Sequence, residues 1–316
     1  MVPPAGFEPA HTAPEADALS PELRGRGLRE AISESILRRA EVVRRGLKNS
    51  LGIPRPERFP GPVSESTIDR AESLVVDGVQ IGRYRLRDLP RTAEFFEADV
   101  PVTHAAPAVL AAMEGWSLTT TDAALVEGLL AGGAVTTRRY ALMSLALDAA
   151  PAALDHELPF TTVRLTRLTE VTPSLIDLVR NAYPGGHPDE ELGTDADVER
   201  DLRRILDGEW LGPLDPASRV LMDGGAGGRP VAMIIVNRPE GRAPVGGLWL
   251  SEICRAPEEA YRGLGADLLR VVLHECRTAG EEALSLAVTD GNPARRLYEK
   301  LGFVTALSVT KLSLPG

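Results

Sequence analysis

The chain has 316 residues, 43% hydrophobic and 25% charged, a globular composition on a length that suits two domains better than one core. Asp and Glu outnumber Lys and Arg by 45 to 35, and the net charge of -10 argues against nonspecific nucleic-acid binding. Cys254 and Cys276 have no metal-ligand spacing and make no disulfide framework, no apolar run is long enough to span a bilayer, and the first residues lack a signal-peptide pattern, so a soluble protein of the reducing cytoplasm is expected.

Residues 1 to about 25 are rich in Pro, Ala, Glu and Gly without periodicity and read as disordered. Leu28, Ile32, Ile36, Ala40 and Val43 then recur at helical spacing, opposite a basic face that includes Arg38, Arg39, Arg44 and Arg45. A solvated helix docked on its own protein is expected there, ahead of a membrane-binding or partner-binding helix. Residues 53–62 are a Pro-rich linker. Residues 1–65 are therefore read as tail, basic helix and linker.

Residues 66–155 read as a small α/β unit. Strand-like alternation runs through 75–85, helices are expected over 107–113 and 122–131, and 134–147 reads as two strands or one long bent one. Residues 156–316 read as a second, complete unit. Its expected elements are a strand at 161–165, helices at 173–182 and 195–206, and a hairpin of 220–222 with 231–236. A strand at 248–254, a helix at 265–278, a strand at 283–288, a helix at 293–301 and two short terminal strands follow. Strands, then helices, then alternation around one crossover predict a mixed α/β (α+β) sheet.

The two units echo each other. Thr121-Asp122, a short helix and Gly133 lead to Leu145-Ala146-Leu147, while Thr289-Asp290, a short helix and Gly302 lead to Leu312-Ser313-Leu314. Leu129 stands where Tyr298 stands in the second copy, and no glycine turn precedes it. A degenerate, truncated first copy should bind no nucleotide cofactor.

The chemistry gathers between residues 257 and 303. Gly263 and Gly265 allow a close backbone approach to a phosphate, and the helix that follows directs its free amides to the same place. Leu268, Leu269, Val272, Leu273 and Cys276 give that helix one apolar stripe. Arg262 can add a cation, or it is a solvated loop charge. Asn292-Pro293 is a helix start, and Gly302 a helix stop. Between them lies Tyr298, whose phenol is neutral at pH 7 and can donate a proton. Its bland alternative is a half-buried core tyrosine. Glu252 lies on the strand entering the glycine turn, with a strand-edge ion pair as its bland reading. Ser251 stands beside it, and His187 and Asp189 lie in a loop beside the expected acceptor entrance. Cys254 reads as a small buried hydrophobe rather than a nucleophile. Trp210 and Trp249 are candidate pocket walls, with core packing as the commoner role.

The glycine turn followed by Asn292-Pro293-Ala294-Arg295-Arg296-Leu297-Tyr298-Glu299-Lys300-Leu301-Gly302-Phe303 resembles the GNAT superfamily of acyl-CoA-dependent N-acyltransferases, over about the last half of the chain. Laid on Gly263 and Gly265, the family pattern Arg/Gln-Xaa-Xaa-Gly-Xaa-Gly/Ala puts Ala260 at the Arg/Gln position, a departure. The resemblance implies the GNAT fold, with the first unit as a truncated tandem copy. It implies acetyl-CoA as co-substrate and no metal. The implied cofactor-binding residues are Ile253, Cys254, Arg255, Arg262, Gly263, Leu264, Gly265, Ala266 and Asn292. Tyr298 and Glu252 would be catalytic, with the amine attacking directly. The acceptor would be a small-molecule or peptide amine, with no nucleic acid and a homodimer admitted. The alternative is a non-catalytic acyl-CoA-binding regulator, and a further rival is an assembly module built on residues 28–147.

Overall fold

The computed structural model describes residues 70–316 except 87–90, 149–162, 184, 190–192, 225–227 and 240–244. The tail, basic helix and linker expected within 1–65 lie outside the described residues.

In the first half, β1 (Arg70–Val76), β2 (Val79–Leu86) and β3 (Thr92–Ala98) form an antiparallel meander, followed by α1 (Val102–Ala112), β4 (Ser117–Thr120), α2 (Ala123–Ala131) and β5 (Val135–Ala146). The second half runs β6 (Val163–Arg167), α3 (Pro173–Ala182), α4 (Asp195–Leu206), β7 (Arg219–Asp223), β8 (Pro230–Asn237) and β9 (Leu248–Arg255). It continues with α5 (Leu264–Thr278), β10 (Ala283–Thr289), α6 (Arg295–Lys300) and β11 (Val304–Ser313). The alternation expected over 75–85 is split by Asp77 and Gly78, both at positive φ, into a hairpin. Helix α1 begins at Val102, so Pro107 lies inside it rather than at its start.

All eleven strands join one mixed sheet in the order β1-β2-β3-β4-β11-β5-β10-β9-β8-β7-β6. The parallel pairs are β3–β4 and β9–β10. Exchanging β1–β4 with β7–β10, and β5 with β11, maps the order onto itself with only β6 left over. The two short terminal strands expected after residue 301 are instead one strand, β11. The neighbouring place beside β10 is filled by β5 from the first half.

The echo read in the sequence has a geometric counterpart. Gly133 and Gly302 both adopt the left-handed conformation, at φ 97° and 95°. The amide of Ala134 donates to Leu129 O at 3.0 Å, and that of Phe303 to Tyr298 O at 3.0 Å, the same helix stop twice. The strand ends also reciprocate: Leu147 N donates to Glu282 O at 2.9 Å, and Leu314 N to Trp116 O at 2.8 Å.

The cores are exchanged along with the strands. Ala141, Met143, Leu145 and Leu147 of the β5 segment lie in the core of the second half. Leu312 and Leu314 lie in the core of the first, with Phe96, Val109, Leu118 and Leu125. Burying one such leucine contributes about 1.5–3 kcal/mol. Leu312 is fully buried, so Leu312→Ala should cost about 2–5 kcal/mol in denaturant unfolding. Amide exchange should accelerate in β2–β4, distant in sequence from the substitution; unchanged protection there would contradict the exchange of cores.

Candidate active site

Strands β9 and β10 pair only where Leu248, Trp249 and Leu250 face Leu284, Ser285 and Leu286. Beyond that point β9 stays bonded to β8, and β10 to β5, so the two parallel strands part. At the split, Ile235 faces Glu252 and Val236 faces Leu250, which makes Ser251 a bulge that re-aims its neighbours. A cavity of roughly 1360 Å³ opens there.

One end of the cavity is the glycine turn. A 3-10 turn, Glu259–Tyr261, leads to Gly263 at φ 92°, and α5 starts immediately after. The amides of Gly263, Leu264 and Gly265 donate to no other described residue. A Cβ added at Gly263 or Gly265 would meet nothing within 4 Å, and both glycines stand on the cavity wall. This is an anion-accepting shape. Gly263, Gly265 and Ala266 line the cavity, as do Ile253, Cys254 and Arg255 on the parted edge of β9. Arg262 does not: it is 75% exposed and paired with Glu259 at 2.9 Å. The cation at this end is Arg255. The Leu264 side chain turns to the core.

Farther along, Tyr298 projects from α6 into the same cavity, 5% exposed, its ring tilted against Phe303 at 5.8 Å. Its phenol makes no hydrogen bond among the described residues. Burial, and then the charges of Glu252 and Asp189, hold its proton on well above the ordinary tyrosine range. Glu252 keeps its proton more tightly than a solvated glutamate, chiefly through burial and further through Asp189. Two donors offset this in part: the hydroxyl of Tyr183 and the amide of Ile253. Tyr183 closes α3 and packs edge-on against His187, centroids 5.0 Å apart. His187 Nδ1 accepts the Asp189 amide at 3.1 Å, which assigns its neutral-ring proton to Nε2.

The Ser251 hydroxyl is spent on structure. It donates to Asn237 Oδ1 at 2.6 Å, and the fully buried Asn237 anchors Ile205 O and Gly212 O at 2.9 and 2.8 Å. Burial, then the Glu252 charge, pushes the Cys254 thiol well up and leaves it un-ionised and unreactive. Trp210 lines the cavity, whereas Trp249 is buried in the sheet. Among the described residues no His, Cys, Asp and Glu group could hold a metal, and no helix is long and apolar enough to cross a membrane.

Residues 173–303 match the family model described as the acetyltransferase (GNAT) family. These residues form a GNAT domain. A GCN5-related N-acetyltransferase from Sphaerobacter thermophilus is similar at 15% identity and TM-score 0.51, over 76% of this chain and 79% of that one. One from Kribbella flavida is similar at 16% identity and TM-score 0.44, over 79% and 91%. A tandem GNAT protein from the clavulanic acid biosynthesis pathway has 16% identity and TM-score 0.45, over 75% and 80%. No curated protein matches the chain.

The GNAT domain thus brings Tyr298, Glu252, Asn292, the β9 edge and the glycine turn to one cavity. Sequence reasoning missed Tyr183 and Arg138. Tyr183 directly follows a helix whose bounds were legible, and its position was the available signal. Arg138 had none, because its partners Thr289 and Asp189 lie 151 and 51 residues away. Since the Tyr183 hydroxyl lowers the affinity of Glu252 for its proton, Tyr183→Phe should move the Glu252 titration further up. Carbon-13 NMR of the glutamate carboxyls reads this; a downward or absent shift would contradict the assigned contact.

Proposed function

We propose that the protein is an acetyl-CoA-dependent N-acetyltransferase of the cytoplasm, acting on a small-molecule or peptide amine by direct attack. The observation that carries this reading is one cavity lined at one end by open glycine-turn amides and at the other by Tyr298 and Glu252. When bound, acetyl-CoA supplies the activated acyl group. The amides of Gly263, Leu264 and Gly265, with Arg255, are suited to its diphosphate. The main chain of Ile253 and Cys254 offers the parted strand edge to its pantetheine arm. Glu252 takes the proton of the incoming amine, and Tyr298 gives its own to the departing sulfur.

Among its described residues the first half has no such turn. Only Asp99, Val100 and Pro101 separate β3 from α1, Pro101 brings no amide, and Asp99 pairs with Arg83 at 3.2 Å. Leu129, wholly buried, occupies the place of Tyr298. Calorimetric titration should therefore find one acetyl-CoA per chain.

Gly265→Val should leave the unfolding midpoint unchanged, because its Cβ meets open space. It should weaken acetyl-CoA binding roughly tenfold or more, about 1.4 kcal/mol. Tyr298→Phe should keep that affinity and lower kcat roughly a hundredfold, with thiol release as the readout. Full turnover in Tyr298→Phe would contradict the role of Tyr298, whereas acetyl-CoA binding without thiol release by the unaltered protein would favour the non-catalytic acyl-CoA-binding reading, to which Ala260 at the family's Arg/Gln position also leans. The base must be ionised to act. The rate should therefore rise with pH through a limb above the usual glutamate range, and Glu252→Gln should abolish that limb.

A further inference from the structure

Three side chains from two other parts of the chain meet at Asp189. Its Oδ1 accepts the Thr289 hydroxyl at 2.6 Å, and its Oδ2 accepts Asn292 Nδ2 at 3.0 Å. The same carboxylate is ion-paired with Arg138, whose Nε also donates to Thr289 Oγ1 at 2.9 Å. The guanidinium lies 5.8 Å from the centroid of the Tyr140 ring, on the same strand. Thr289 ends β10, and Asn292 opens the turn into α6, where its Oδ1 accepts the Ala294 amide at 2.8 Å. Tyr298 is carried by that helix. Asp189 follows α3 and lines the cavity. Arg138 comes from β5, in the half that lacks a cofactor turn.

The planar fork of arginine suits this junction, because it reaches a carboxylate and a hydroxyl at once. The pair is partly exposed, at 49% and 21%, so its direct gain in stability is small. Its effect is on what surrounds it. Arg138 ties the Asp189 segment to the turn that carries the Tyr298 helix, and it neutralises a carboxylate whose field reaches Glu252 and Tyr298.

We propose that Arg138 is a positioning residue through which the first half of the chain completes the site of the second. The proposal rests on the acetyl-transfer reading. Arg138 touches neither reacting group. It fixes Asp189 against Thr289 and Asn292, and so sets both the seat of Tyr298 and the charge beside Glu252. The titratable groups that act on Glu252 are Tyr183 from α3, Asp189 from the segment after it, Cys254 from its own strand, and Tyr298 from α6, with His187 packed on Tyr183 behind them. Asp189 is the carboxylate in this set, and Arg138 is its ion-pair partner.

The signs follow from electrostatics. Without Arg138 the Asp189 charge is uncompensated, and Glu252 holds its proton to higher pH. With Asp189 neutralised, Glu252 releases its proton at lower pH. Arg138→Gln should therefore move the acid limb of the rate profile up, and Asp189→Asn should move it down. Loss of packing alone would not give opposite signs.

The experiment uses the full chain with Arg138→Gln, Arg138→Lys and Asp189→Asn. Arg138→Gln should lower kcat roughly tenfold to a hundredfold with acetyl-CoA affinity unchanged, as expected for misplaced groups. Arg138→Lys should restore part of the loss, because an ammonium keeps the charge but not the fork. Carbon-13 titration of Glu252 in the acetyl-CoA-free protein reads the same opposite shifts without turnover. It therefore decides the proposal even for a protein that proves to transfer no acetyl group, an outcome that would overturn the acetyl-transfer reading alone. Unshifted titration in both neutralising variants, or shifts of the same sign, would overturn the role of Arg138. Arg138→Met, which also removes the charge, supplies the same titration with the same upward shift expected if Arg138→Gln fails to fold.

Discussion

The antiparallel pairing of β5 with β11 is the constraint on which the rest of the structure depends. It runs from Val304 opposite Ser144 to Ser313 opposite Val135. Each strand belongs by sequence to one half and by packing to the other. Neither half can bury its core with its own residues, because Met143 and Leu145 fill the second and Leu312 and Leu314 fill the first. The sheet consequently has no seam at which the halves could part without exposing both cores to water. A one-residue slip along this pair would turn every inward side chain out, so the pattern of buried residues holds the register.

The same pairing shapes the site. The wedge exists because β9 follows β8 while β10 follows β5, and the course of β10 is set from the first-half side. A strand of the first half thus helps to determine how wide the cleft opens in the second. The charge environment obeys the same logic. Arg138 arrives on β5 and meets Asp189, and Asp189 in turn raises the proton affinity of Glu252. Strand exchange and site chemistry are two effects of one set of backbone hydrogen bonds.

Local signals carried the second half. The helix from 173 to 182 was legible from Thr172-Pro173 and its apolar face, and the helix from 195 to 206 from the Thr194 cap, where Thr194 and Asp197 bond reciprocally. The glycine turn and Tyr298 were legible because a short stretch of chain contains all that defines them. What stayed hidden was non-local. The β3 strand, TAEFFEA, has no clean alternation, and its place depends on β2 and β4. The terminal segment was expected as two strands because a complete unit needs two, and nothing nearby in sequence says that β5 supplies the other. Arg262 read as either a phosphate cation or a solvated loop charge, and which of the two it is depends on where its side chain turns; it pairs with Glu259 and is largely exposed. Arg138 could not be found by any local pattern, since its role depends on a contact between halves.

The exchanged strands also bear on how the protein is made. A nascent chain ordinarily folds its leading portion while the remainder is still being translated. Here the core built on Phe96, Leu118 and Leu125 lacks Leu312 and Leu314 until the ribosome has added the long stretch between Leu125 and Leu312. Contacts of such long sequence separation form slowly. Until then β4 presents a bare edge, an open template for association with another nascent copy.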